Sequence, residues 1–198
     1  MKIFAFTDVH GNTKALKKIE ATVKKQKPDL LVCCGDISIF DHYAERTLKK
    51  LASLHKPLFL IHGNHDSETK IEKLCKQYKN VSFIHKKIKM FGNLLFVGYG
   101  GGGFMRIDKE FEKFARKIEH KIKTENIILL THGPPYKTRL DYIYGEHVGC
   151  VSFKKFIISH PKTILALSGH IHETAGAQDK IKKTMLLNPG QYGRVIEI

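Results

Sequence analysis

Five short stretches carry side chains suited to metal chemistry: Asp8 with His10, Asp36, the run Asn64-His65-Asp66, His132, and His170 with His172. Each follows an apolar segment of strand type. Glycines 11, 35, 63, 133 and 169 flank them, consistent with tight turns and close backbone approach. Asp8 and His10 stand two residues apart, so an extended chain would point both side chains the same way; His170 and His172 repeat that spacing. Imidazole and carboxylate donors without thiolate suit manganese, iron, zinc, cobalt or nickel rather than a closed cysteine zinc site, with manganese first among them. Two cations would need a shared anion, and Asp36 is the natural bridge, because one carboxylate can hold metals about 3.5–4 Å apart. With Asp8, Asp36 and a hydroxide set against two divalent ions, roughly one positive charge is left over to hold an anionic phosphate ester. Taken singly, each residue has a plainer explanation. Asp8, Asn12 and Asp66 could cap helices, and a lone loop histidine is usually solvated. That explanation fails for the set as a whole.

The elements that must position these groups follow from hydrophobic period. Lys2 to Thr7 reads as a strand, and Asn12 or Thr13 can cap a helix with Ala15, Leu16, Ile19 and Val23 on one face. Asp29 to Cys34 is a second strand, Tyr43 to Ser53 a helix, and Pro57 to Ile61 a third strand. Ser67 then caps a helix with Ile71, Leu74, Cys75 and Tyr78 inward. This alternation predicts a sheet covered by helices and at least partly parallel, whose ligands bind beyond the carboxyl ends of the strands. A hairpin joins Ile88–Phe91 to Leu94–Gly98; a helix runs from Asp108 to Lys123, and a buried strand from Asn126 to Thr131. Pro134-Pro135 forbids an immediate helix, leaving a long loop from Gly133 to about Gly149. A helix near Ser152 to Ser159, a strand near Thr163 to Ser168 and three short strands complete the chain. Residues 1–198 read as one domain, with no repeat or linker.

The stretches Asp8-Val9-His10-Gly11-Asn12, Gly35-Asp36, Gly63-Asn64-His65-Asp66, His132-Gly133 and Gly169-His170-Ile171-His172 together resemble the calcineurin-like metallophosphoesterase family. All five motifs occur in the family's order and span nearly the whole chain. The resemblance implies a four-layer αββα sandwich, two mixed β-sheets flanked by helices. It also implies two divalent metal ions, one held by Asp8, His10, Asp36 and His172, the other by Asp36, Asn64, His132 and His170. A hydroxide between the metals would attack a phosphomonoester or phosphodiester in line with the leaving oxygen. His65 would protonate that oxygen, and Asp66 would hold the His65 imidazole in the right tautomer. Asn64, Tyr136 and Arg139 are candidate substrate contacts, with Lys137, Thr138 and Tyr144 in the same loop. His62 is the remaining histidine expected nearest the site.

Gly98-Tyr99-Gly100-Gly101-Gly102-Gly103 formally satisfies G-x-G-x-x-G, but the next helix starts late and the first β-α unit carries Asp8 and His10 instead. A substrate-facing loop and a plain strand-end turn both stay open. The net charge of +15 comes mainly from lysine, with arginine only at 46, 106, 116, 139 and 194. Lysine lacks the planar fork that reads phosphate or guanine in pairs, so a solvated basic surface attracting a small phosphoester, a nucleotide among the candidates, is favoured over a nucleic-acid groove. No apolar run approaches bilayer length, and none resembles a secretory leader. Cys33, Cys34, Cys75 and Cys150 show no framework spacing, which fits a reducing, cytoplasmic setting. The rivals to a phosphoesterase are a metal-stabilised docking module on the same fold and a nuclease.

Overall fold

The computed structural model describes residues 1–123 and 125–198. The chain begins with β1 (Lys2–Phe6), α1 (Thr13–Gln26), β2 (Leu30–Cys33), α2 (Ala44–Ala52), β3 (Leu58–Leu60), α3 (Glu68–Cys75) and β4 (Val81–Phe83). Strands β1 to β3 are apolar and buried almost throughout, the signature of strands covered on both faces. They pair in parallel with each other and with β4. Asn12 starts α1, its Oδ1 accepting from the Lys14 and Ala15 amides at 2.9 and 3.2 Å. Ala15, Leu16, Ile19 and Val23 then form the buried stripe. Helices α1, α2 and α3 lie on one face of this sheet and pack on Phe4, Phe6, Leu31, Leu58 and Leu60.

The second half contributes β5 (Lys87–Phe91), β6 (Leu94–Tyr99), α4 (Lys109–Glu119), β7 (Asn126–Thr131), β8 (Tyr142–Ile143), β9 (Glu146–His147), α5 (Val151–Ser159), β10 (Thr163–Leu167), β11 (Gln178–Ile181), β12 (Thr184–Leu187) and β13 (Arg194–Glu197). Six of these strands form a sheet in the order β11-β12-β10-β7-β6-β5, its central strands parallel and its two edges antiparallel. The last strand returns to the first sheet, antiparallel to β1 and pairing Lys2 with Glu197. Ile3, Leu30, Val32 and Phe59 of the first sheet meet Phe96, Ile128, Leu130, Leu165 and Leu167 of the second. Beyond the second sheet, Phe111, Phe114 and Ile118 of α4 and Phe153 and Phe156 of α5 close the outer layer. The fold is therefore two mixed sheets face to face with helices outside, as the resemblance implied.

Three local expectations change. α4 ends at Glu119 rather than reaching Lys123: the Lys121 and Ile122 amides turn back to Ile118 and Glu119 at 2.8 and 3.2 Å, tightening the last turn. α2 starts one residue late, because Tyr43 takes the left-handed conformation that precedes the helix. The 133–149 loop is not bare, since β8 and β9 pair within it. Buried Asp141 holds this loop, accepting from the Lys137, Thr138 and Gly149 amides and from His147 Nδ1.

The strand ends are level where the site forms. Phe6 pairs with Cys33 and Cys33 with Leu60 in one sheet; Tyr99 pairs with Thr131 and Leu130 with Leu167 in the other. The loops that follow these strands therefore converge at one end of the sandwich.

Candidate metal centre

The converging loops do not continue the strands. Asp8, His10, Asp36 and His170 have φ of 53°, 47°, 52° and 67°, all left-handed, and His172 opens a 3-10 turn. The extended geometry expected for Asp8 with His10 and for His170 with His172 is thus corrected. Each non-glycine residue in this region costs about 1 kcal/mol or more, and such residues persist only where their surroundings hold them. Here the turns are stitched together. The Asp8 amide donates to Gly35 O at 3.0 Å, the His10 amide to Asp36 O at 2.9 Å, and the Gly169 amide to His132 O at 2.8 Å. Across the two sheets, the His170 amide donates to Asp8 Oδ2 at 3.1 Å. Two glycines make room for this approach: a Cβ at Gly63 would collide with the Asp36 carboxylate, and one at Gly169 with Thr7 Oγ1 and Asp8.

Backbone carbonyls then set the imidazoles. His10 Nδ1 lies 2.9 Å from Ser38 O and His132 Nδ1 lies 2.8 Å from Cys34 O. A carbonyl can only accept, so each Nδ1 carries a proton and Nε2 is the nitrogen left to offer a lone pair to a cation, the arrangement found behind metal-binding histidines. Both Nε2 atoms face Asp36 Oδ2, at 3.7 Å from His10 and 3.3 Å from His132. The other oxygen, Asp36 Oδ1, accepts the His65 amide at 2.8 Å. On one side of Asp36, His10 Nε2 lies 3.3 Å from His172 Nε2, and Asp8 Oδ1 lies 3.6 Å from His172 Nε2. On the other side, His132 Nε2 and His170 Nδ1 each lie 2.8 Å from Asn64 Oδ1. Donors about 2.0–2.2 Å from one ion stand roughly 2.8 to 3.6 Å apart, from octahedral to tetrahedral angles, so both groups have the spacing and donor chemistry of a cation site. Asp8, His10 and His172 form one group of potential ligands and Asp8, Asp36 and His132 another.

The electrostatics match this crowding. Burial opposes ionisation of Asp36, but His132 and the His65 amide outweigh it and hold the carboxyl below its usual range. Burial likewise disfavours the His132 cation, yet its bond to Asp36 lifts it to about 9; a metal ion would have to displace that proton. Burial and His132 push His170 down to about 4, whereas the Asp8 contact raises His172.

His65 lies beside the centre, but Asp66 bonds elsewhere than expected. The His65 ring meets His10 edge-on, centroids 5.2 Å apart, which puts an imidazole beside the centre. Its Nδ1 is buried without a hydrogen-bond partner among the described residues. Asp66 does not orient it. The Asp66 oxygens accept from the Ile37, Ser38 and Gly63 amides at 3.2, 3.0 and 3.1 Å and from Ser38 Oγ at 2.6 Å, which takes up their capacity. Burial raises the Asp66 pKa despite these donors. Asp66 is a positioning residue: it fixes Ser38, whose carbonyl fixes His10.

The loop candidates also separate. Tyr136 lies under Arg106, whose guanidinium is 3.5 Å from the ring centroid, and the Arg139 amide donates to Asp179 at 2.8 Å. Thr138 is buried and bonded to Pro135 O and Asp141, so it shapes the turn instead of meeting a substrate. Beside Asp8, His10 and His172, a cleft of about 110 Å³ is lined by Asn188, Gly190 and Gln191, which no motif marked. The Ser38 and Cys34 carbonyls were equally invisible, because every residue has one.

His62 joins His85 and Glu68 in a third histidine–carboxylate group behind the centre. Here the Gly100 amide donates to His85 Nδ1 at 2.8 Å. That leaves the His85 proton on Nε2, pointing towards Glu68 Oε2 at 3.6 Å, with no lone pair for a cation. This group braces the Gly100 turn.

Residues 1–174 match the family model of the calcineurin-like phosphoesterases. An uncharacterised protein of Methanocaldococcus jannaschii is 33% identical over 202 residues, covering 96% of this chain and 88% of its own. Among solved structures, a Thermus thermophilus protein superimposes with a TM-score of 0.75 at 16% identity, covering 96% of this chain and 90% of that one. A dimetal phosphatase from Danio rerio gives a TM-score of 0.62 at 11% identity, covering 94% and 86%. The chain belongs to the calcineurin-like phosphoesterase family, a family of metal-dependent hydrolases. Among the described residues, no helix is long and apolar enough to cross a membrane.

Proposed function

We propose that this chain hydrolyses a small phosphoester with two divalent metal ions, manganese first among the candidates. Asp8, His10, Asp36 and His172 hold one; Asp36, Asn64, His132 and His170 hold the other. The observation that carries this reading is Asp36 Oδ2 facing both His10 Nε2 and His132 Nε2, each imidazole locked by a backbone carbonyl behind it. When bound, the ions supply positive charge for the phosphoryl oxygens and acidify water to a nucleophile near neutral pH. The protein's own contribution is orientation. Asp66 and Ser38 keep His10 in its tautomer, Cys34 does the same for His132, and His65 stands where it can give a proton to the leaving oxygen. The four cysteines are free buried thiols, which supports a cytoplasmic setting.

The test is hydrolysis of p-nitrophenyl phosphate and bis-p-nitrophenyl phosphate by the manganese-loaded chain, before and after chelation. Turnover that chelator abolishes and metal restores is expected, and the ratio of the two rates decides between monoester and diester preference. Absence of chelator-sensitive turnover with any divalent transition metal would transfer support to the docking role.

A further inference from the structure

Two large apolar rings stand open to water at the rim of the metal centre: Phe40 is 71% exposed and Phe104 66% exposed. Phe40 lies with its ring centroid 4.5 Å from that of His65, which meets His10. Phe104 lies 4.6 Å from His170, which meets His132 edge-on at 5.2 Å. One ring thus borders the His10 half of the centre and the other the His170 half.

Both loops carry these rings on unusual backbone. Phe40, Asp41 and Tyr43 have φ of 45°, 65° and 68°, and bulky residues in that region are costly unless held. They are held: the Asp41 amide donates to His65 O at 3.2 Å, and Asp41 Oδ1 accepts the Ser67 amide at 2.8 Å. Phe104 arrives through Gly101, Gly102 and Gly103 at φ of 77°, 94° and 126°, a path only glycine follows readily. A Cβ on Gly101 would also press on His62 Nε2 at 2.9 Å. The glycine run brings the Phe104 ring over His170, and no core packing explains why that ring is apolar and outside.

We infer that Phe40 and Phe104 form an aromatic subsite for the organic part of the substrate, which carries a planar ring such as a nucleobase. This rests on the phosphoester reading. A phosphoryl group held between the two ligand groups has its ester substituent passing the rim that Phe40 and Phe104 border, Phe40 packing on His65 beside the ligand His10 and Phe104 directly on the ligand His170. Phenyl rings stack on planar heterocycles with little dependence on which heterocycle it is. The plainer alternative is that the rings merely brace His65 and His170.

Competition on the manganese-loaded full chain separates these. Inhibition of p-nitrophenyl phosphate hydrolysis by a nucleoside 5′-monophosphate and by methyl phosphate gives a ratio of two inhibition constants that share the same phosphoryl contacts. The nucleotide should bind about tenfold more tightly, in line with the worth of one stacked base. Phe104→Ala and Phe40→Ala should each cut that ratio about threefold or more, and Phe104→Leu should cut it less than Phe104→Ala. A ratio near one in the unaltered chain overturns the inference. So does a ratio that the substitutions leave unchanged while both constants weaken together, the signature of bracing. If neither p-nitrophenyl phosphate nor bis-p-nitrophenyl phosphate is hydrolysed, it is the phosphoester reading that fails; if only the diester is, the same competition is read on its hydrolysis.

Discussion

The metal centre and the His62–His85–Glu68 group both set histidines against carboxylates, and they are wired in opposite senses. At the metal centre, Ser38 and Cys34 carbonyls accept from His10 and His132, so lone pairs face inward. At His85, the Gly100 amide donates to the ring, so a proton faces Glu68. Residue type is the same in both places. What differs is whether the backbone behind the imidazole presents C=O or N–H, and that choice decides which group can take a cation.

The contrast breaks most completely at the shared ligand. Asp36→Asn should leave both sites empty or scrambled, with turnover falling to the level of the chelated protein; two equivalents of metal by elemental analysis would contradict the bridge. A hundredfold slowing, roughly, is expected for His65→Ala with both metals retained. Loss of metal with an unchanged rate per loaded enzyme would instead make His65 a structural neighbour.

Asp66→Ala removes a buried acceptor and leaves three amides unpaired, while the Ser38 hydroxyl keeps only the His65 carbonyl. It should cost about 3 kcal/mol in urea unfolding and weaken metal binding tenfold or so through Ser38 and His10. If metal affinity held while stability fell, the Asp66–Ser38–His10 relay would be wrong.

The smallest effect sharpens the other side. His85→Gln should leave metal content unaltered, whereas a true ligand would not. Burial, with His62 nearby, pushes the His85 pKa down to about 3, far below its unfolded value near 6.5. Between those values the unfolded chain binds a proton that the folded one refuses, so this contribution to stability is present above about pH 6.5 and is lost as pH falls towards 3. The slope is up to about 1.4 kcal/mol per pH unit from this one group. Urea unfolding from pH 7.5 to 4.5 should therefore be flatter in His85→Gln than in the unaltered chain. Parallel curves would mean that His85 is free to protonate in the fold.

Much of the framework was legible because it follows from local pattern. The apolar runs of β1, β2, β3 and β7, the Asn12 cap and the stripe of α1 depend on neighbours within a few residues, and hydrophobic period reports those directly. The motif residues were legible as a set, and the fold brings all seven candidate ligands together. The left-handed turns under Asp8, His10, Asp36 and His170 were not, since nothing in D-x-H or H-x-H separates a turn from an extended end. The hairpin inside the 133–149 loop and the role of Asp141 depend on pairings closed by buried hydrogen bonds rather than on hydrophobic alternation.

By itself the sequence determined which side chains could do chemistry, which segments are strands or helices, and that the chemistry gathers at strand ends. Those are properties of composition and short-range period. Only the tertiary structure decided that Asp36 turns one oxygen to both histidines, that Asp66 serves Ser38 instead of His65, that His85 is protonated on the wrong nitrogen for a metal, and that two phenyl rings stand at the rim. Each of these depends on backbone groups distant in the chain, and a carbonyl or an amide has no letter of its own in the sequence.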